Sequence, residues 1–300
     1  MNVFATDQFG LPLPAWHTFP LAKYARLRRR VEESGVVAPG EIRTPAAATV
    51  AEILGVHAPE YVRKVLDGAL SAVEERAIGL PWSAELVERS RRSTGATVAA
   101  CRAAIAGGVA VNLAGGTHHA HADHGAGYCV FNDAAVAARA LQAEGLAGRV
   151  VVIDCDVHQG DGTASIFADD PSVFTFSIHA ARNYPDTKPP SDLDVELDDG
   201  TGDLAYLDAL ERGTRLALER SGADLAIYLA GADPFEGDRL GRLKLSKAGL
   251  AARDRLVFTL CRGTGLPVAV AMAGGYARRI EDTVDIQLQT VREAAAWAGP

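Results

Sequence analysis

The sequence is short of cysteine, of long apolar runs and of positive charge, and each shortage narrows what the chain can be. Its four cysteines, Cys101, Cys129, Cys155 and Cys261, stand far apart and mostly within apolar stretches. That dispersal argues against a disulfide framework or a zinc finger and suits buried thiols in a reducing compartment. No apolar segment reaches the ~20 residues that span a bilayer. The opening residues, Met1-Asn2-Val3-Phe4-Ala5-Thr6-Asp7, lack a charged region followed by an apolar one, so no signal peptide is expected and a soluble cytoplasmic protein is. Thirty Lys and Arg against 38 Asp and Glu leave a formal charge of −8, which speaks against a general nucleic-acid or anionic-membrane binder. The same charge is compatible with cationic substrates such as lysine side chains or polyamines. Internal repeats, low-complexity tracts and linkers are also missing, so one domain over residues 1–300 is expected, with 48% hydrophobic residues ample for its core.

What is present is a regular alternation. Residues 109–113, 150–153, 173–178, 225–229 and 267–272 are apolar, largely β-branched runs of strand length. Helical patterns cover residues 94–106, 132–144, 163–168, 204–221, 246–261 and 283–297. Strand alternating with helix at this spacing implies βαβ units, an α/β fold and a mostly parallel sheet. Ahead of the alternation, residues 1–20 read as irregular, punctuated by Pro12, Pro14 and Pro20. Residues 21–33 read as a basic helix with a solvated face, 50–54 as a strand or short turn, and 57–61 as the opening of a helix. Residues 180–203 read as a long loop.

Chemistry gathers where these strands end. The run Val151-Val152-Ile153-Asp154-Cys155-Asp156-Val157-His158-Gln159-Gly160-Asp161-Gly162 begins as a buried strand and places Asp154, Asp156 and His158 two apart, on one side of an extended chain. Carboxylates and an imidazole crowded there need a cation or several donors to compensate them. The other strands lead into Gly115-Gly116-Thr117-His118-His119, His179, Gly231-Ala232-Asp233-Pro234 and Gly274-Gly275-Tyr276. In a parallel sheet these converge on one rim beyond the carboxyl ends of the strands, where ligands bind. Six of the eight histidines lie between His118 and His179; of these, His121 and His124 sit in a polar loop and are read as solvated.

The residue types suggest a hydrolase. A catalytic metal takes three protein ligands and keeps an open position, and Asp156, His158 and Asp233 can supply the three from two strand ends. His118 and His119 are candidates for general base and acid, with Asp154 and Asp161 orienting the imidazoles. Tyr276, presented by glycines, can donate a hydrogen bond to a developing oxyanion.

Four ordered blocks resemble the zinc-dependent histone deacetylase family, which includes acetylpolyamine amidohydrolases and bacterial acetoin-utilisation proteins. They are Gly115-Gly116-Thr117-His118-His119-Ala120 with Gly127-Tyr128-Cys129-Val130-Phe131-Asn132-Asp133; Asp154 through Gly162; Gly231-Ala232-Asp233-Pro234; and Gly274-Gly275-Tyr276. The resemblance covers residues 94–290. It implies an arginase-like α/β fold whose central parallel sheet has about eight strands, with helices on both faces. It further implies that Asp156, His158 and Asp233 bind zinc, or iron; that His118 pairs with Asp154; and that His119, paired with Asp161, is the main general base and acid. Tyr276 would polarise the amide carbonyl, and Gly127, Tyr128 and Tyr184 would line the acyl-lysine tunnel. A structural potassium ion would be held by Asp154, Ser177 and backbone oxygens of Asp156, His158 and Ile178. Gln159 and the stretch from Asn183-Tyr184-Pro185 to Gly200-Thr201-Gly202-Asp203 look closest to the class IV and related bacterial branch.

The expected activity is removal of an acyl group, acetyl or longer, from an acylated lysine, a polyamine or another small amide. A dimanganese ureohydrolase is the competitor within such a fold, but it needs more ligands than Asp233, with Asp238 five residues on, can add. A non-catalytic acyl-lysine binder is the competitor outside it, and retention of every catalytic group argues against that. One departure stands out. Ala273 occupies a position where many relatives have glycine, which is expected to shift the Tyr276 loop. Oligomeric state is not legible in the sequence.

Overall fold

Strands buried on both faces need apolar side chains at every position, and the five runs of the alternation supply them. In the computed structural model, which describes residues 1–38 and 40–298, they become β3 (Val109–Asn112), β4 (Val150–Asp154), β5 (Val173–Ala180), β7 (Leu225–Leu229) and β8 (Val268–Ala271), and every residue in them is buried. Three strands join them: β1 (Asn2–Phe4), β2 (Ile42–Arg43) and β6 (Leu193–Leu197). The eight form one sheet in the order β2-β1-β3-β8-β7-β4-β5-β6, and every pairing is parallel. The expected mostly parallel sheet is therefore wholly parallel among the described residues.

Alternate residues of β4 feed two cores. Val151 and Ile153 pack with Leu27, Leu210, Val257 and Val291 on one face of the sheet. Val150 and Val152 pack with Ala100, Ala137, Leu141 and Phe167 on the other. The first face is covered by α1 (Ala22–Ser34), α8 (Asp203–Ser221), α9 (Lys247–Gly263) and α10 (Ile280–Ala298). The second is covered by α5 (Ala84–Gly107), α6 (Asp133–Ala143) and α7 (Asp161–Phe167). Parallel strands have no short turn available, so the connections run through such helices, save that from β5 to β6, which is a loop over residues 181–192.

Three readings are corrected. Residues 50–54 form a helix, α2 (Val50–Leu54), because Thr49 accepts the N–H of Glu52 while Glu52 accepts that of Thr49, a reciprocal cap. Residues 1–20 are not wholly irregular, since β1 lies within them. The loop at 180–203 contains β6, whose Leu-Asp-Val-Glu-Leu pattern is that of a half-exposed edge strand. Two further helices, α3 (Pro59–Asp67) and α4 (Ala72–Ile78), pack Tyr61, Val62, Val65 and Ile78 into a third, smaller core beside the site. No helix among the described residues is long and apolar enough to cross a membrane.

Candidate active site and metal centre

The loops after β3, β4, β7 and β8 meet in a cavity of about 560 Å³. His118, His119, Asp156, His158, Asp233 and Tyr276 all line it, as do Gly127, Tyr128 and Tyr184. Asp154 and Asp161 lie behind the histidines.

Asp156, His158 and Asp233 each offer a ligand atom, and the three atoms lie within 4.8 Å of one another with all three residues buried. Nδ1 of His158 is 2.9 Å from Asp156 Oδ1 and 3.6 Å from Asp233 Oδ2. The remaining carboxylate oxygens are spoken for, with Asp156 Oδ2 accepting the Gly274 N–H at 2.8 Å and Asp233 Oδ1 the Val157 N–H at 3.0 Å. Asp233 Oδ2 is sealed from solvent with no hydrogen-bond partner. Burial pushes the Asp233 carboxyl up to about 7, reinforced by the charge of Asp156. Burial opposes a charge on His158, yet the hydrogen bond to Asp156 and the negative charges of Asp156 and Asp233 outweigh it and raise the ring to about 10. A pocket that charges its histidine this strongly is short of a cation. Two carboxylates, one imidazole and an orphaned oxygen fit a zinc-like divalent ion.

The two adjacent histidines are turned to separate carboxylates. His118 Nδ1 donates to Asp154 Oδ2 at 2.6 Å, and His119 Nδ1 to Asp161 Oδ1 at 2.5 Å, with the two rings 4.1 Å apart. For His118, burial is outweighed by Asp154 and Asp156, and the ring is raised to about 9. For His119, burial and the charge on His118 prevail, and the ring falls to about 4. The pair thus holds one ring that favours its charged form and one kept neutral with Nε2 free to accept a proton, although the sequence places them side by side.

The loop that presents them is held by Asp133 at the start of α6, whose carboxylate accepts the N–H groups of Gly116 at 3.0 Å and Thr117 at 2.7 Å. Gly127 packs on the ring of His119, where a Cβ would approach its Cδ2 to 2.6 Å. The Tyr184 ring stands edge-on to His119 at 4.9 Å, and the Tyr128 ring lies 5.9 Å from that of Tyr276. His124 is exposed as expected, but His121 is not wholly solvated: its Nε2 reaches Asp161 Oδ2 at 3.3 Å and its ring stacks on His124. Ala273 adopts φ 48°, a left-handed conformation that an alanine rarely takes and that glycine takes without strain.

Asp154 and Ser177 are partners in the β4–β5 ladder, with Ile178 following. Asp154 Oδ1 accepts the N–H of Asp156 at 3.0 Å, and Ser177 Oγ lies 2.9 Å from His179 Nδ1. Carboxylate, hydroxyl and backbone carbonyl together are an oxygen donor set that suits a hard cation.

Sequence reasoning weighed Asp238 only as a spare metal ligand and missed Lys23. Asp238 is not turned toward the metal cluster but accepts backbone N–H groups of Leu240, Gly241 and Tyr276. Lys23, from α1, is 1% exposed, donates to the Gly275 carbonyl at 3.3 Å and has its ammonium 5.3 Å from the centre of the Tyr276 ring. Their hold on the Tyr276 loop has no local signal, because that loop lies more than thirty residues from each.

A family model described as the histone deacetylase domain matches residues 17–290. An uncharacterised protein of Picosynechococcus sp. is 44% identical over 273 residues, covering 91% of each chain. A histone deacetylase-like amidohydrolase of Pseudomonas aeruginosa is 31% identical over 285 residues, covering 89% of this chain and 74% of that one. The solved structure of a histone deacetylase homologue from Aquifex aeolicus superposes with a TM-score of 0.86 at 23% identity, over 98% of this chain and 84% of that one, which is a likeness of fold. Matches of this extent leave little of the chain outside them, and it belongs to the histone deacetylase family.

Proposed function

We propose that this protein is a metal-dependent amidohydrolase that removes an acyl group from an acylated amine, with acyl-lysine as its carrier. The observation that carries the reading is Asp233 Oδ2, buried without a partner and facing His158 and Asp156 at the foot of a cavity that two His–Asp pairs border. Asp156, His158 and Asp233 would hold zinc, or iron, which supplies a Lewis acid for the acyl carbonyl and lowers the pKa of water. His119, steered by Asp161 at Nδ1, presents Nε2 as the base that takes a proton from the attacking water and returns it to the departing amine nitrogen. His118, paired with Asp154, adds positive charge beside the developing oxyanion. Tyr276 donates its phenolic O–H to that oxygen, a contact that strengthens as charge grows on it. The products are a carboxylate and a free amine. Gly127, Tyr128 and Tyr184 would guide the lysine stem, and Asp154, Ser177 and the carbonyls of Asp156, His158 and Ile178 would hold potassium behind the site.

Charge at the cavity favours acyl-lysine over acylpolyamine. Apart from Asp156 and Asp233, the Lys, Arg, Asp and Glu side chains lining it are Lys23, Arg182, Arg242 and Asp186, three cations to one anion. Lys23 is buried beside Tyr276, and the exposed cations among them are Arg182 and Arg242, to which a polyamine would bring further ammonium groups. The four free, buried thiols suit a reducing, cytoplasmic setting. The test is a panel of acetyl-lysine peptides, longer acyl-lysine peptides and acetylpolyamines with zinc-reconstituted protein. Hydrolysis of an acyl-lysine peptide that stops on chelation and returns with zinc is expected. No turnover of any member by metal-loaded protein would leave a non-catalytic binder. Two manganese ions per chain with urea released from a guanidino substrate would leave a ureohydrolase.

A further inference from the structure

Beneath the metal loops lies a charged group that the reaction does not touch. Arg253, in α9, is fully buried, and its guanidinium NH1 donates to the carbonyl of Gly231 and, at 3.4 Å, to that of Cys155. Cys155 immediately precedes Asp156, and Gly231 stands two residues before Asp233. We infer that Arg253, held by Asp254, is a positioning residue that sets the separation of the two loops carrying Asp156 and Asp233. The inference rests on the reading that these carboxylates hold a divalent ion.

Chain geometry explains why such a tie is needed. β4 and β7 are neighbours, but their ladder stops at Asp154 opposite Leu229, and the last backbone bond is Cys155 N–H to the Leu229 carbonyl at 3.0 Å. Past that point no backbone hydrogen bond among the described residues joins the two loops, although Gly231 packs closely on Asp156, where a Cβ would fall 2.6 Å from its Cα. The direct link between them, Val157 N–H to Asp233 Oδ1, passes through a ligand side chain and draws on the same carboxylate a metal would use. Arg253 joins the loops through backbone carbonyls alone and leaves all the ligand atoms free.

The surroundings hold the guanidinium in place. Its Nε donates to Asp254 Oδ1 at 2.9 Å and NH2 lies 2.8 Å from the same oxygen. Asp254 in turn accepts the Tyr228 hydroxyl at 2.5 Å and the Thr290 hydroxyl at 2.6 Å. Strand β7 and helix α10 therefore fix the carboxylate, the carboxylate holds the guanidinium through Nε with NH2 close beside it but without a hydrogen bond, and NH1 is turned to the loops. A buried ion pair is weak evidence of stabilisation by itself, because apolar residues of like volume often serve a core as well. Turning NH1 to two ligand-bearing loops is what distinguishes this pair.

The test measures metal binding by the full-length apoprotein, titrated with cobalt(II) and then with zinc in competition with a chromophoric chelator. Arg253→Lys keeps the charge opposite Asp254 but loses the planar fork. The double variant Arg253→Met with Asp254→Met removes the pair without stranding either charge. Both are expected to remain folded by circular dichroism while binding metal 10- to 100-fold more weakly, with an altered cobalt absorption spectrum. Thr290→Val, which trims Asp254 on the far side, is expected to stay within threefold of wild type. Wild-type affinity and spectrum in the folded Arg253 variants would overturn the inference, as would failure of both to fold, which would make the pair a core element only. Because the readout is metal binding, a protein that binds cobalt through this device but hydrolyses no acyl-lysine would overturn the proposed reaction and leave this inference standing.

Discussion

The carboxylate of Asp238 accepts the backbone N–H of Tyr276 at 2.6 Å, while its other oxygen accepts those of Leu240 and Gly241. Arg239 closes the clamp from the other side, donating from Nε to the Tyr276 carbonyl at 3.0 Å. Two consecutive residues of the loop after β7 thus aim a side chain delivered by the loop after β8. An oxyanion donor is useful only if it is aimed before charge develops.

Asp238→Asn tests the aim. The amide turns a donor toward either the Tyr276 N–H or the Leu240 and Gly241 pair, so one side of the clamp opens. Turnover should fall about 10- to 100-fold, as expected when a reacting group is misplaced by about 1 Å. Metal content by atomic absorption should stay at the wild-type level. Unchanged kcat in a protein with the substitution would remove Asp238 from the positioning of Tyr276.

Tyr276→Phe tests the donor itself. The ring would keep its place against Tyr128 and beneath the Lys23 ammonium, and only the hydroxyl is lost. A cut of about 10²–10³ in kcat with metal retained is the magnitude of losing one oxyanion-hole donor. Wild-type turnover would assign the phenol a purely structural place in the wall.

Gly274→Ala tests how tightly the loops close on the metal ligands. A Cβ there would fall 1.9 Å from Asp233 Oδ2 and 2.5 Å from Asp156 Oδ2. Neither carboxylate can withdraw, since Asp156 Oδ2 accepts the Gly274 N–H and Asp233 Oδ1 is held by Val157. The variant should bind zinc at least about 10-fold more weakly, as a displaced ligand does. Zinc affinity equal to wild type would mean the loop moves aside freely.

How much of this was legible in the sequence follows from where each signal lies. Strands β3, β4, β5, β7 and β8 are buried on both faces and had to be written as unbroken apolar runs. β1 and β2 are three and two residues long, and β6 mixes Asp and Glu into a half-exposed edge, so no run marks them. In the cavity, His118 with His119 and Asp154 through Asp161 announce themselves because adjacent strand ends concentrate polar residues within a few positions. Asp133, Asp238, Lys23 and Arg253 give no such notice. Each bonds a backbone group whose chain position has no periodic relation to its own, and an isolated charged residue in a helix or loop looks like a solvated one. Lys23 and Arg253 are the clearest instances: Lys23 stands in a helix that reads as having a solvated face, Arg253 in one whose pattern says nothing of it, and they are 1% and 0% exposed.

A last prediction concerns pH and His57, which is 2% exposed beside the histidine-bearing loop. Its Nδ1 donates to the His121 carbonyl at 2.9 Å, and its Nε2 accepts the Asn132 N–H at 3.0 Å. Protonating Nε2 would turn that acceptor into a donor facing another donor. Burial accordingly pushes the ring down to about 4 from the ordinary 6.5. The unfolded chain therefore binds a proton between these values that the folded chain does not, and stability is complete above pH 6.5 and lost as pH falls toward 4. The gap corresponds to about 3 kcal/mol at most. His119 and His179 are likewise held down to about 4 by burial and lose stability over the same range, so the share of His57 must be isolated by difference. Urea unfolding of metal-loaded wild type and His57→Gln at pH 7 and pH 4.5 does so. Wild type should lose about 2 kcal/mol more than the variant over that interval. Because Asn132 also donates from its side chain to the Ala120 carbonyl at 3.1 Å, the same protonation should loosen the loop that presents His118 and His119. Equal pH slopes in the two proteins would show that the ring is free to charge in place.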